Sequence, residues 1–287
     1  MSARDTTDPG GTPPHDAAIA ALAATDERIV LPDMIDGEHI RVSASSYVTF
    51  LQCPDSAMAR YRGEYRPESR ASFRGGLAHR LFARHLNDGP IASADFEQVC
   101  REEIGSSILN HKLALLKLKP SELAGVIAEA QALYERFTSF PSDGFDGAEI
   151  FIEHDAGGDV EIIGSIDARF NDAEGVRLVD WKTGDLGDPM PQLRFYALLW
   201  ALDKGSLPTV VEAVSVKTGE RLIEQPTVGV ALETAEGVTS LVNAIRQGWK
   251  TQAQLARHGG PACRFCPLLE GCDEGRSATA VLAISTL

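Results

Sequence analysis

The apolar positions of this chain change their period along its length. From Tyr47 to Phe137 they recur at intervals of three and four, as in helices that bury one stripe. From about residue 148 they alternate or run together, as in strands. The first helix is expected from Ser45 to about Arg62, with Ser43 or Ser45 as its cap before Tyr47, Phe50 and Leu51. A second should run from Ser69 to Leu86 and stop at Asn87-Asp-Gly-Pro90. Ser93 caps a third, in which Phe96, Val99, Cys100, Glu103, Ile104, Ser107 and Ile108 keep helical spacing. Cys100 lies on that stripe and reads as a core cysteine. A fourth helix opens at Ser121 and turns Leu123, Val126, Ile127, Ala130, Leu133, Tyr134 and Phe137 inward until Pro141. Strands follow at 148–154, 160–170 and 175–182, separated by Gly, Asp and Asn turns. Then come a helix from Gln192 to Asp203, a hairpin at 209–217 and 220–225, and a last helix from Glu233 to His258. No internal repeat is present. The pattern predicts an α/β domain over residues 41–275 with a helical insertion at 88–140, flanked by an N-terminal tail, 1–40, and a C-terminal tail, 276–287.

Composition narrows the class. Hydrophobic content of 44% and charged content of 24% are those of a soluble globular protein. Met1 to Asp16 is rich in Asp, Thr, Pro and Gly and lacks an apolar core, so it reads as a disordered tail and not a signal peptide. No stretch approaches the roughly 18 apolar residues of a membrane span. A cytoplasmic setting is expected, where clustered thiols are reduced and bind metal. The net charge of −14 argues against a general polyanion binder. Locally the balance reverses: Arg60, Arg62, Arg66, Arg70, Arg74, Arg80 and Arg84 face only Glu64 and Glu68, a net charge of +5. The stretch is either a solvated helix face or a phosphate-contacting patch.

Four of the five cysteines have the look of a divided metal site. Cys53 stands alone before Pro54. Cys263, Cys266 and Cys272 cluster over 259–275. A Cys-x2-Cys pair sets two thiolates within reach of one centre, and Cys272 and Cys53 complete four. The spacing serves zinc and iron–sulfur alike.

Between the two cysteine groups, strand parity sorts the polar residues. Ile162, Gly164, Ile166, Ala168 and Phe170 share one face, with Asp167, Ser165 and Arg169 on the other. Asp180 and Lys182 share a face with Val176 and Leu178. Two carboxylates and an ammonium can therefore converge at the end of a small sheet, where paired carboxylates bind Mg²⁺ or Mn²⁺. Such a cation activates water and neutralises phosphodiester charge, while a lysine stabilises developing negative charge. The tripeptide Asp180-Trp-Lys182 carries little weight alone, since about one acid-x-Lys is expected by chance. Its context adds Gln192 and Tyr196, one turn apart on the next helix, and His79 on the helix that ends the arginine-rich stretch.

These residues together resemble the iron–sulfur branch of the PD-(D/E)xK nuclease superfamily, which includes the RecB and AddB nuclease domains and the CRISPR-associated nucleases of spacer acquisition. The matching pieces are Ser43-x-Ser45-x-Tyr47-x-x-Phe50-x-x-Cys53-Pro54, Gly75-x-x-x-His79, Gly164-x-x-Asp167, Asp180-x-Lys182-Thr-Gly184, Gln192-x-x-x-Tyr196 and Cys263-x2-Cys266-x5-Cys272. They span residues 43–272. The resemblance implies a restriction-endonuclease-like core, a central mixed sheet flanked by helices, with a C-terminal iron–sulfur region. It implies that His79, Asp167, Asp180 and the Trp181 carbonyl ligate the metal, that Lys182 is catalytic, and that Gln192 and Tyr196 shape the site and contact DNA. Cys53, Cys263, Cys266 and Cys272 would hold a [4Fe–4S] cluster. An additional acid often precedes Gly-x-x-Asp in the family; Glu149 and Glu153 share parity here, and Glu153 is the favoured one. Arg66, Arg70 and Arg74 would guide DNA toward the site.

The expected activity is thus metal-dependent exonuclease cleavage of DNA in repair, recombination or CRISPR adaptation. The competing class is a non-catalytic DNA-binding scaffold that keeps the fold and a structural zinc or iron–sulfur site. Lys182-Thr-Gly184 and Lys217-Thr-Gly219 also match an element of serine penicillin-recognising enzymes, but no lysine has a serine three residues before it, which excludes that class. The chain has no Gly-x4-Gly-Lys-Ser/Thr motor motif, so it would need a helicase or another repair or CRISPR protein in trans, or accept single strands directly.

Overall fold

Ser43 sets the first change of direction. Strand β1 (Ile40–Ser43) ends there. The Ser46 N–H donates to the Ser43 hydroxyl at 3.2 Å and the Ser43 N–H to the Ser46 hydroxyl at 2.8 Å, a reciprocal cap that opens helix α1 (Ala44–Gln52). The single helix expected from Ser45 to Arg62 is in fact two. Proline has no N–H to continue a helix but fits its first position, so Pro54 closes α1 and starts α2 (Pro54–Tyr61), with Cys53 extended between them. The computed structural model describes residues 29–284; the expected tail lies outside them over residues 1–28.

Ser69 caps α3 (Arg70–Asp88), which ends at Gly89 with φ at +95°. Helices α4 (Phe96–Gly105), α5 (Leu109–Leu116) and α6 (Pro120–Phe137) fill the segment expected to be a helical insertion. Phe73, Leu77 and Leu81 of α3 pack with Val99, Cys100, Val126, Ile127 and Tyr134 in one core, which also takes in Trp181 and Val214 of the sheet. Cys100 is fully buried there.

Among the described residues the sheet has six strands: β1, β2 (Phe145–Asp155), β3 (Val160–Asp172), β4 (Gly175–Lys182), β5 (Val210–Ser215) and β6 (Arg221–Glu224). It is mixed, with β1 parallel to β3, β4 parallel to β5, and the remaining pairs antiparallel. β2 lies along β3 from Glu161 to Phe170, so β1 and β4 must share the other edge of β3. β1 occupies that edge up to Ile163, and β4 takes it from Ala168 onward. Between Ile163 and Ala168 neither strand is paired to it. The second core covers the opposite face: Ile152, Ile162, Ile166 and Leu178 pack beneath α7 (Met190–Lys204) and α8 (Val228–Thr251).

Three boundaries differ from expectation. The last long helix was expected to reach His258 and carry the cysteines, but it ends at Thr251 where Gln252 turns left-handed (φ +55°). The cysteine trio instead sits on two short 3₁₀ turns, Pro261–Phe265 and Leu269–Gly271. A helix, α9 (Asp273–Ile284), replaces the described part of the C-terminal tail. Residues 29–39 are packed where a tail was expected: Ile29, Leu31 and Met34 lie on the core, and the buried Arg246 guanidinium donates to the carbonyls of Ile35, Glu38 and Gly158. Among the described residues, no helix is long and apolar enough to cross a membrane.

Candidate active site

The unpaired stretch of β3 is where the polar residues gather. Beyond Ala168 and Val179 the β3–β4 ladder stops, and a side chain takes over the backbone pairing. Asp167 Oδ2 accepts the Trp181 N–H at 2.7 Å. The parting strands leave room for carboxylates that a continuous ladder would crowd. The two indole-flanking residues of β4, Asp180 and Lys182, point to one face, while Trp181 packs in the other against Phe137 and Phe140.

Asp180, Lys182 and Gln192 form a closed triangle. Lys182 Nζ lies 2.7 Å from Asp180 Oδ2 and donates to Gln192 Oε1 at 2.6 Å. Gln192 Nε2 donates to Asp180 Oδ1 at 3.0 Å and to Tyr196 Oη at 2.9 Å. Helix α7 can bring Gln192 and Tyr196 this close because β3 has no side chain beneath it at Gly164. A Cβ there would stand 2.8 Å from Leu199 and 3.3 Å from Tyr196. Asp180 is buried, and its Oδ2 faces the Lys182 ammonium. Burial, and then the charge of Asp167, raise the Asp180 carboxyl above its ordinary range; Lys182 and His79 pull the other way. Burial, followed by Asp180 and Asp167, likewise raises Tyr196, which therefore serves as a neutral phenol.

His79 enters from α3, its Nδ1 3.1 Å from Asp167 Oδ1. Burial alone would lower its pKa, but the carboxylates of Asp167, Asp180 and Glu149 outweigh that and raise it to about 9. Of the two glutamates, Glu149 and not the favoured Glu153 lies beside His79 and Asp167. His79, Glu149 and Asp167 each offer a ligand atom within 4.8 Å of the others, whereas Glu153 lies four residues along β2 and pairs with Arg41 at 2.7 Å. Glu149 adopts a left-handed φ of +50°, a strained conformation for a residue with a side chain, and accepts the Ser165 hydroxyl at 3.1 Å. Burial, and then Asp167, raise its carboxyl. The carboxylates of Glu149, Asp167 and Asp180 crowded beside one imidazole suit a hard divalent cation.

The four cysteines line one cavity of about 240 Å³, with Arg66 and Arg257 in its wall. Asp55, buried in α2, holds the approach to it by accepting from the Leu255 N–H and the Arg257 guanidinium. The Gly260 and Gly275 N–H groups donate to the sulfurs of Cys263 and Cys272, each at 3.3 Å. Among the described residues, no three of these sulfurs lie within 4.8 Å of one another.

The three arginines singled out from the sequence separate. Arg70 and Arg74 both bond Glu129 of α6, at 2.6 and 2.8 Å. Arg80 and Arg84 pair with Glu103. The helical segment thus neutralises much of the charge that the linear sequence displays, and of the three only Arg66 reaches the cysteine cavity.

The sequence model of a family described as the PD-(D/E)XK nuclease superfamily matches residues 41–273. No curated protein matches the chain. Among solved structures, the crystal structure of SSO0001 is similar at a TM-score of 0.36 and 15% sequence identity, over 83% of this chain and 87% of that one.

Proposed function

The chain belongs to the PD-(D/E)XK nuclease superfamily, and from that membership we propose a metal-dependent exonuclease of the iron–sulfur, RecB/AddB-like branch that hydrolyses DNA with single strands or free ends. The observation that carries this reading is the Asp180–Lys182–Gln192 triangle set against Asp167 at the parting of β3 and β4. Asp167, Asp180, His79 and Glu149, with the Trp181 carbonyl, would hold Mg²⁺ or Mn²⁺. The ion would supply charge neutralisation at the phosphodiester and a more acidic bound water. Lys182 is fixed by two acceptors, so its ammonium is already oriented toward an oxygen on which charge develops. Gln192 joins Asp180, Lys182 and Tyr196 and keeps that orientation when substrate enters.

The cysteine cavity is assigned to a structural [4Fe–4S] cluster held by Cys53, Cys263, Cys266 and Cys272. Burial raises the Cys272 thiol, and the Gly275 N–H directed at its sulfur opposes that rise. The branch further implies a cytoplasmic role in repair, recombination or spacer acquisition, with a helicase in trans.

The test is cleavage of end-labelled single- and double-stranded DNA, linear and circular, with Mg²⁺, with Mn²⁺ and with chelator. Linear DNA should be degraded from its ends only when metal is present. Asp180→Ala and Lys182→Ala should each lower cleavage by about 10³-fold; wild-type rates in both would place the chemistry elsewhere. An anaerobically purified protein that is colourless and zinc-loaded would remove the cluster from the proposal.

A further inference from the structure

A second concavity adjoins both sites. About 720 Å³ in volume, it is lined by Gln192 of the first site and by Pro261, Ala262, Arg264 and Phe265 of the cysteine turns. Arg60, Tyr65, Arg66 and Lys112 stand along it. In a chain of net charge −14, this lining has four cationic side chains against Glu64 and Glu68. Lys112 pairs with Glu68 at 3.2 Å, which leaves Arg60, Arg66 and Arg264 against one glutamate.

Two large aromatic rings on this groove are exposed where a folded protein would ordinarily bury them: Phe265 at 55% and Tyr65 at 68%. Phe265 lies between the ligand-type cysteines of Cys263-Arg-Phe-Cys266. Its ring is bracketed by guanidinium groups, Arg264 at 4.8 Å and Arg66 at 6.0 Å from its centroid. Neither ring belongs to a core cluster, and neither is needed to close the cysteine cavity.

We propose that this groove is a binding track for single-stranded DNA, with Phe265 as a base-stacking platform and Arg66 and Arg264 as its phosphate contacts. The inference rests on the nuclease reading only in that the track opens onto Gln192. Exposed aromatic faces hold unstacked bases and have nothing to offer the bases of a duplex, which already stack on each other. Flat guanidinium groups beside the ring serve stacked bases and backbone alike. Because Arg264 and Phe265 are the two residues inside the Cys-x2-Cys turn, whatever fixes Cys263 and Cys266 also fixes the platform. The cysteine region would then have a direct part in substrate binding in addition to any role in holding the fold.

Fluorescence anisotropy of the full chain with a labelled single-stranded oligonucleotide tests this, in chelator so that no cleavage occurs. Phe265→Ala should weaken binding about 10-fold, within the range of roughly 1–3 kcal/mol per stacked base. Phe265→Trp should restore it, and affinity for a blunt duplex of the same length should be unchanged in both. Arg264→Gln should lower the slope of log affinity against log salt by about 0.7, while Phe265→Ala should leave that slope alone. Equal affinity of wild type and Phe265→Ala, equal losses on single strand and duplex, or no rescue by Trp would overturn the proposal. Absence of binding by the wild type would do the same. Cleavage by Lys182→Ala is scored separately: if it stays at the wild-type rate, the nuclease reading fails, and the track is judged on anisotropy alone.

Discussion

The sheet-edge site and the cysteine cavity are built on opposite plans. At the sheet edge the polar groups already hold one another: Lys182 bonds Gln192, Gln192 bonds Asp180 and Tyr196, and Asp167 bonds the Trp181 backbone. In the cavity the sulfurs stand apart, and their contacts are two peptide N–H groups, two distant carbonyls, the Ser56 hydroxyl and the Glu274 carboxylate. A site whose members restrain one another is preorganised and asks little reorganisation of its ligand. A site whose members do not touch depends on its occupant to join them, and the occupant's binding energy becomes part of the folding energy. Catalytic substitutions should therefore cost rate, and cysteine substitutions should cost stability.

The largest effect expected is on rate. Lys182→Ala should lower DNA cleavage by about 10³-fold, at the upper end for loss of one preorganised charge-stabilising donor. The thermal midpoint should move little, because Lys182 is partly exposed and Gln192 remains to satisfy Asp180. A large drop in melting temperature in this variant would show that the triangle is a structural element and break the contrast. Cys272→Ser should behave in the opposite way. It should abolish the visible absorbance of anaerobically purified protein and destabilise it by about 3 kcal/mol, read by denaturant melts. An unchanged melt would mean that the cavity walls hold themselves.

A smaller effect concerns protons. The Asp180 carboxyl is raised in the folded protein, by burial and by Asp167. A group whose folded pKa exceeds its unfolded value contributes stability that is complete below the unfolded pKa and is lost as pH rises through the folded one. Metal-free protein should therefore lose stability from about pH 4 to above pH 6, the range between the model-peptide value and the raised value of about 6. Asp180→Asn should melt higher than wild type in chelator at pH 8, by about 1–2 kcal/mol, with the gap closing at pH 4. Added Mg²⁺ should stabilise the wild type and not the variant. A variant less stable than wild type at pH 8 would mean that the Lys182 ion pair outweighs the repulsion.

Much of the sheet-edge site was legible in the sequence because its signals are local. Strand parity puts Asp180 and Lys182 on one face, and helical spacing puts Gln192 above Tyr196. What sequence could not supply was long-range. Glu149 and Glu153 have the same parity, so only the docking of α3, which carries His79, separates them. The gap in the β3 edge depends on where β1 stops and β4 begins, a matter of pairing between segments more than 100 residues apart in the case of β1. The order of residues 29–39 comes from Arg246, whose partners are backbone carbonyls 87 to 211 positions away. The break at Cys53-Pro54 was readable from the proline alone, and the apolar stripe running across it concealed it.

The arginine stretch shows the same limit, and there the smallest effect is expected. Read linearly, Arg66, Arg70 and Arg74 are a patch; folded, Arg70 and Arg74 share one carboxylate on α6, 55 to 59 residues away. Glu129 is held below its ordinary range by hydrogen bonding to Arg74 first of all, with both guanidinium groups contributing, so it is ionised throughout the neutral range. Half of the pair's charge is cancelled before any phosphate arrives, and the exposed geometry makes each ion pair worth little to stability. Arg70→Gln with Arg74→Gln should accordingly shift the melting temperature by no more than about 1 °C and change DNA affinity less than two-fold at 150 mM salt. Arg66→Gln, which faces the cysteine cavity and the groove beside it, should have the larger effect on affinity. Glu129→Gln is the sharper variant, since it releases two guanidinium groups toward solvent and should steepen the salt dependence of binding. If instead the Arg70/Arg74 double variant flattens that dependence as much as Arg66→Gln does, the pair yields Glu129 to a phosphate on binding, and the linear reading of the patch is restored.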